Sequence, residues 1–321
     1  MSHLQPFRLY HVVRKRRSFD CEGTISSVAM LLESRQFVRN ALQSLHMKFG
    51  AHVSIAGGIQ NAPLNAAKIG CEVFQMFSRS PQGGPAPKLT PDVIEAFQKN
   101  VADTGMEEWV IHSPYYINFA SGEERIRKSS ERIIREELER GTLLKAAYVM
   151  FHPGSAKDVG QDVAMKFCID GICRVLDGYS GSTKLLIEIS AGAGMVIGDT
   201  FDELAELLAG INHPELGICF DTAHAFASGY DLRDKKSVDA TFKTFDELIG
   251  LHRLKMSHCN DSKVELGAKR DRHDHLGAGF IGLDGFKAIV TNKKLSHVNL
   301  YCETEPEGAA ADIEKLKKMR K

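Results

Sequence analysis

No apolar run in these 321 residues approaches the roughly 18 needed for a helical membrane span. The seven cysteines, Cys21, Cys71, Cys168, Cys173, Cys219, Cys259 and Cys302, form no CxxC pair, and no secretory signal peptide precedes them. An odd, irregular set of this kind argues against a disulfide framework and fits reduced thiols. Cys219 in LGICFD reads as a small buried hydrophobe. Net charge is also lacking, with 41 Lys and Arg against 41 Asp and Glu, so no strongly basic surface announces a nucleic-acid partner. Bound divalent ions would add positive charge locally, so the balance does not exclude DNA. There is no low-complexity segment, short repeat or sign of a second domain. What is present, 43% hydrophobic and 26% charged residues, suits a soluble globular protein with a large core.

The first 46 residues stand apart. They carry seven basic and three acidic residues, including RKRR at Arg14 to Arg17, and lack the strand-helix rhythm of the rest of the chain. We expect 1–46 to be an N-terminal extension, disordered or not part of the native domain, with Met47 a plausible start. Asp20, Glu22 and Glu33 are out of place in a transit peptide.

From residue 47 onward, short apolar runs alternate with helical periodicity. Strands are expected at 48–54, 72–78, 108–112, 147–152, 184–189, 216–221, 253–258 and 298–303. Helices are expected near 59–69, 91–104, 123–146, 160–178, 201–210, 238–250, 283–291 and 309–319. Thr90 before Pro91, Ser121 before GEER and Thr200 before FDELAELL supply helix-start signals. The strands are near-continuous apolar runs, as strands buried on both faces must be. Eight strands alternating with eight helices predict an α/β fold, a single (β/α)8 TIM barrel over 47–321.

On that register His112, His152, Glu188, Asp221, His258 and Glu303 fall at the C-terminal ends of six consecutive strands. They are spaced 40, 36, 33, 37 and 45 residues apart, about one strand-helix unit each. His224, Asp271 and His273 lie in the loops nearby. Histidine and carboxylate are nitrogen and oxygen ligands for zinc, and nine of them on one rim predict a polynuclear metal site. Packed there without metal, the carboxylates would repel one another and desolvate at a cost of several kcal/mol.

The segments HSPYYINFA at 112–120, FHPGS at 151–155, GICFDTAHAFASGYDLR at 217–233 and GAKRDRHDHLGAG at 267–279 closely resemble endonuclease IV, the trinuclear-zinc abasic-site endonuclease family. GAHVS at 50–54 resembles its opening strand, and the likeness spans essentially all of 47–321. The resemblance implies a xylose-isomerase-like barrel holding three Zn2+, with Mn2+ or Fe2+ as alternatives at one or more sites. It assigns His112, His152 and Glu188 to one metal, and Glu188, Asp221, His258 and Glu303 to a second. His224, Asp271 and His273 fall to a third. Glu188 is then the bridge, and Glu303 a carboxylate able to orient the attacking water.

The implied activity is DNA repair: hydrolysis of the phosphodiester 5′ to abasic sites in duplex DNA, and repair of blocked 3′ ends. The implied setting is a cytoplasmic, nucleoid-associated monomer. Tyr115 matches the family's loop tyrosine, which enters the duplex at the lesion. In the other loop, SRSPQGGPAP at 78–87 departs from the bulky wedge of relatives; Arg79 is the candidate charge there, and Arg233, Lys263 and Arg272 are candidate phosphate contacts. Two rival readings stay open. Glu188, Asp221, His258 and Glu303 alone also resemble the single-metal site of sugar isomerases and epimerases. A noncatalytic lesion-binding protein would keep the DNA surface, but would be expected to lose ligands.

Overall fold

Eight of the apolar runs become the staves of a closed parallel barrel. They are β1 (Phe49–His52), β2 (Val73–Phe77), β3 (Glu108–His112), β4 (Tyr148–Phe151), β5 (Lys184–Glu188), β6 (Gly217–Asp221), β7 (Leu254–His258) and β10 (Asn299–Cys302). Each lies within two residues of its expected position, and β1 pairs with both β2 and β10 to close the ring. The computed structural model describes residues 46–321. The expected extension over 1–46 lies outside the described residues except for His46.

Helices follow the strands on the outside, as expected for the (β/α)8 pattern. Thr90 and Thr200 cap theirs, accepting from the amides of Val93 and Glu203. Ser121 does not cap directly: it accepts from the amide of Glu123 and supports the approach to helix Glu124–Leu144. The helix expected at 238–250 starts earlier, at Lys235, because Asp234 caps it through the amide of Ser237. Among the elements not anticipated are the six-residue helix Thr222–Ala227 and an antiparallel ribbon of β8 (Asp261–Ser262) and β9 (His273–Asp274). Both are too short to show a period. Among the described residues no helix is long and apolar enough to cross a membrane.

The two faces of each strand meet two separate cores. Outward residues such as Phe74, Trp109, Ile187 and Phe220 pack under the helices. Inward, Val73, Val110, Met150, Leu186, Cys219, Met256 and Tyr301 form a dry plug, one residue from each strand but β1. In β1 the matching position is Gly50, in register with Val73 and Tyr301. A Cβ on Gly50 would lie 1.7 Å from the Val73 carbonyl oxygen, so the close approach of β1 to β2 requires glycine. Gly50→Ala is therefore expected to force these strands apart and cost about 3 kcal/mol, measured by urea denaturation. Wild-type stability in that variant would refute the close-approach argument.

Candidate metal centre

Side chains two residues apart in a strand share a face. Stepping two residues up from each plug residue leads to Gln75, His112, His152, Glu188, Asp221, His258 and Glu303, and from Gly50 to His52. The barrel's apolar plug thus floors a ring of polar side chains at the strand ends. The structure brings all six expected strand-end ligands into that ring. His112, His152 and Glu188 form one group of donors, and Glu188, Asp221, His258 and Glu303 a second.

The loop-derived ligands join them. Asp221 Oδ1 accepts from the amide of His224, capping helix Thr222–Ala227 and turning His224 inward. His224 Nε2, His273 Nε2 and Asp271 Oδ1 lie 3.3 Å from one another pairwise. A tetrahedral ion with bonds of about 2.0–2.1 Å has an edge of about 3.3–3.4 Å, so this triangle has the dimensions of one zinc face. Asp221 Oδ2 stands 3.6 Å from His273 Nε2 and 3.7 Å from His258 Nδ1, between this group and the second.

Glu188 supplies the clearest test of whether these residues fit a metal. It is fully buried, and its Oε2 has no hydrogen-bond partner. His152 Nε2 at 3.3 Å and His112 Nε2 at 3.7 Å converge on that oxygen, while its Oε1 lies 2.7 Å from His258 Nδ1. An orphaned buried carboxylate oxygen facing two imidazole nitrogens is costly as a purely structural arrangement and natural as a ligand set. Second contacts select the nitrogen each imidazole offers. His112 Nδ1 faces the Ser113 carbonyl at 2.5 Å and His224 Nδ1 faces the Ile189 carbonyl at 3.0 Å, leaving Nε2 of each turned into the site. His258 is reversed, with Nε2 on the side-chain oxygen of Gln75 at 2.7 Å and Nδ1 turned inward.

Supporting residues that sequence reasoning missed hold this frame. Asn260 donates to Asp221 Oδ2 at 2.7 Å and accepts from the Glu303 amide at 2.7 Å. Asp261, fully buried, accepts from the amides of Gly277, Ile281 and Gly282 and so ties the loop carrying Asp271 and His273. Cys219 Sγ lies 3.8 Å from His258 Nδ1, but burial pushes its thiol up to about 12. It remains part of the plug. His52, unassigned from sequence, is brought down to about 4 by burial, against the pull of Glu303.

The charges are strongly interdependent. Burial alone would raise the Glu188 carboxyl, yet His152 and His258 hold it well below the ordinary range. Against burial, His258 and His112 bring Glu303 down to about 2, and His224 lowers Asp271. Burial lowers His152, and Glu188 only partly opposes it. Also against burial, His224 is held well above the usual imidazole value, by Asp221, Asp271 and Glu188. His258 is likewise raised, by the Cys219 sulfur and by Glu188 and Glu303. Because the Cys219 thiol is itself neutral near pH 7, the carboxylates carry that effect.

The expected DNA-contact residues are placed very differently from one another. Tyr115 is 71% exposed and packs edge-on against Phe77 and His112. With Tyr116, His152, His224 and Asp271 it borders a cavity of about 480 Å³ beside the donors. Arg79, in contrast, is 3% exposed and turned from the mouth, paired with buried Glu137 and, at 3.1 Å, with Glu136. Arg140 holds both ends of the same loop, donating to the carbonyls of Ser78 and Pro87. At the tip, the position of a Gly83 Cβ lies 4.0 Å from the Tyr116 ring. Arg233 is exposed and doubly bonded to Asp231. Lys263 and Arg272 are exposed and face each other across the ribbon, the Lys263 amide donating to the Arg272 carbonyl.

These shifts set a pH dependence for the metal-free protein. His224 and His258, raised on folding, contribute stability below about pH 6.5, and that contribution is lost as pH climbs through their folded values. Glu188, Glu303 and Asp271, lowered on folding, contribute above about pH 4.5 and lose that contribution on acidification. Metal binding needs deprotonated imidazoles and strengthens as pH rises. The gap in thermal midpoint between zinc-loaded and chelator-treated protein is therefore expected to widen from about pH 6 to about pH 8.5. A constant gap would contradict the donor assignment.

The family of xylose isomerase-like TIM barrels matches residues 63–319. A protein described as probable endonuclease 4 from Chloroflexus aggregans is 37% identical over 263 residues, covering 81% of this chain and 92% of that one. The crystal structure of endonuclease IV from Thermus thermophilus superposes with a TM-score of 0.76 at 31% identity, covering 85% of this chain and 98% of that one. A D-tagatose 3-epimerase-like protein shares the fold alone, with a TM-score of 0.65 at 22% identity, covering 85% of this chain and 97% of that one. Barrel, donor ring and relatives agree: the chain belongs to the endonuclease IV family.

Proposed function

We propose that this protein is a DNA-repair endonuclease that hydrolyses the phosphodiester 5′ to abasic sites in duplex DNA, leaving a 3′ hydroxyl and a 5′ deoxyribose phosphate. The same chemistry would clear blocked 3′ ends as a 3′-phosphodiesterase. The observation that carries this reading is the gathering of nine nitrogen and oxygen donors into three adjoining groups, one of them facing the buried, unpartnered Glu188 oxygen. It is supported by 37% identity to a protein described as probable endonuclease 4.

We assign three Zn2+ to the nine donors as the resemblance divides them, with Glu188 shared by two of the three. Divalent ions held there supply positive charge and lower the pKa of bound water toward about 7. The chain's residues do the rest. Glu303, ionised down to about pH 2, is a carboxylate at neutral pH and can accept a hydrogen bond from the attacking water. Hydrolysis joins the water oxygen to phosphorus and breaks the bond to the 3′ oxygen, which leaves with a proton. The cavity beside His152 and Asp271 is lined by Tyr115, Tyr116, Ile117 and Ile126, and it offers a sheltered place for a sugar displaced from the helix. Tyr115, exposed at its edge, is the side chain placed to fill the gap in the duplex. We take the protein to act as a monomer in the cytoplasm.

The test is incision of a duplex with a single abasic site by the full chain, together with metal content per chain. The expected outcome is a 3′ hydroxyl product, about three zinc ions per chain, and loss of cutting after prolonged chelation. One metal per chain without incision would move the reading to a sugar isomerase; binding without incision by loaded protein would move it to a lesion-binding protein. Glu303→Gln is expected to slow incision by about 100-fold or more. Tyr115→Ala should weaken binding to the abasic duplex while leaving metal content unchanged.

A further inference from the structure

Gln75 occupies the β2 place in the ring of rim side chains, two residues above Val73 of the plug, and it is wholly buried. Its amide nitrogen donates to Glu303 Oε1 at 2.6 Å and lies 2.9 Å from His52 Nδ1. Its oxygen lies 2.7 Å from His258 Nε2. Chemistry decides which end is which. An ionised carboxylate can only accept, so the end facing Glu303 must be the NH2, and the end facing His258 must be the carbonyl.

Both donors are constrained by this arrangement. His258 must keep its proton on Nε2, which leaves Nδ1 as the nitrogen turned toward Glu188 and Asp221. Glu303 has Oε1 engaged, so its Oε2 is the oxygen turned to the site, 3.2 Å from His258 Nδ1. These two donors stand on β7 and just beyond β10, neighbouring staves separated from β2 by β1. One buried amide therefore holds two donors from different strands at once.

We propose that Gln75 is a positioning residue of the metal centre, selecting the His258 nitrogen and the Glu303 oxygen that face the ion. The inference rests on the reading of His258 and Glu303 as ligands, and its test does not depend on DNA cleavage. Removal of an outer hydrogen-bond partner of a metal ligand weakens metal affinity by roughly 10- to 100-fold. Gln75→Met keeps the length and apolar packing of the side chain and removes both hydrogen bonds; Gln75→Leu is the second variant should the first fold poorly.

Zinc affinity of the full chain would be measured by competition with a chromophoric chelator, alongside the thermal midpoint of chelated protein. Spectra of zinc-loaded protein labelled with 15N in its histidines would report which imidazole nitrogen carries the proton. We expect at least a tenfold loss of affinity for the most weakly held zinc, beyond any fall in the chelated midpoint, and in zinc-loaded protein loss of the single Nε2-protonated form at His258. Wild-type affinity in whichever variant folds would overturn the proposal. A fall in the chelated midpoint without loss of affinity would also overturn it, because that outcome belongs to a merely structural glutamine. Wild-type protein that binds zinc but does not cut DNA would sink the nuclease reading and leave this one standing; wild-type protein that binds no zinc would overturn both.

Discussion

Alternation along a strand is the constraint from which this site follows. A stave that puts an apolar residue into the barrel must turn the residue two positions on to the same interior, one step nearer the rim. Seven strands supply the plug from Val73 to Tyr301, and the same seven supply Gln75, His112, His152, Glu188, Asp221, His258 and Glu303 above it. The plug matters electrically as well as sterically. It keeps water away from Glu188 from below, and in that low-dielectric setting the carboxylate needs cationic partners in place of solvent. The imidazoles of His224 and His258, both raised and both set against Glu188 Oε1, meet that need when no ion is bound, and they are among the groups whose nitrogens an ion would claim.

Outside the ring, the loops that complete the site are tied down by buried charge. Asp261 gathers three backbone amides to shape the segment bearing Asp271 and His273. Glu137 on helix Glu124–Leu144 holds Arg79 and accepts from Ser78, and Arg140 on the same helix binds both ends of the loop after β2. An unpaired charge at these depths would cost several kcal/mol, so each loop has one strongly favoured way to leave its strand. The rim can then carry a cavity and an exposed tyrosine without losing the donor geometry beneath them.

The barrel was legible because buried parallel strands are near-continuous apolar runs, and LLIEI or GICFD allow little else. The strand-end donors were legible for the same reason, since the end of a stave is a place in the fold as well as in the chain. Gln75 was missed although its signal was there: it interrupts VFQMF on the inward face, two positions after Val73. Its partners are 183 and 228 residues away, and only closure of the ring makes them neighbours. Arg79 was misplaced for a like reason, because a charged residue in a loop of Ser, Pro and Gly reads as exposed until Glu137, 58 residues on, is brought against it. Helix Thr222–Ala227 has fewer than two turns and carries no period, so the inward turn of His224 depended on a cap that only the folded chain displays.

The sequence by itself determined the barrel, the height of the donors within it and the family to which the chain belongs, because strand period and residue type are local properties that survive without a partner. Tertiary structure alone decided which donors share an oxygen, which nitrogen each imidazole turns inward, and which charges are held beneath the surface. Those are contacts between distant segments, and they exist only once β1 has closed the ring against β10.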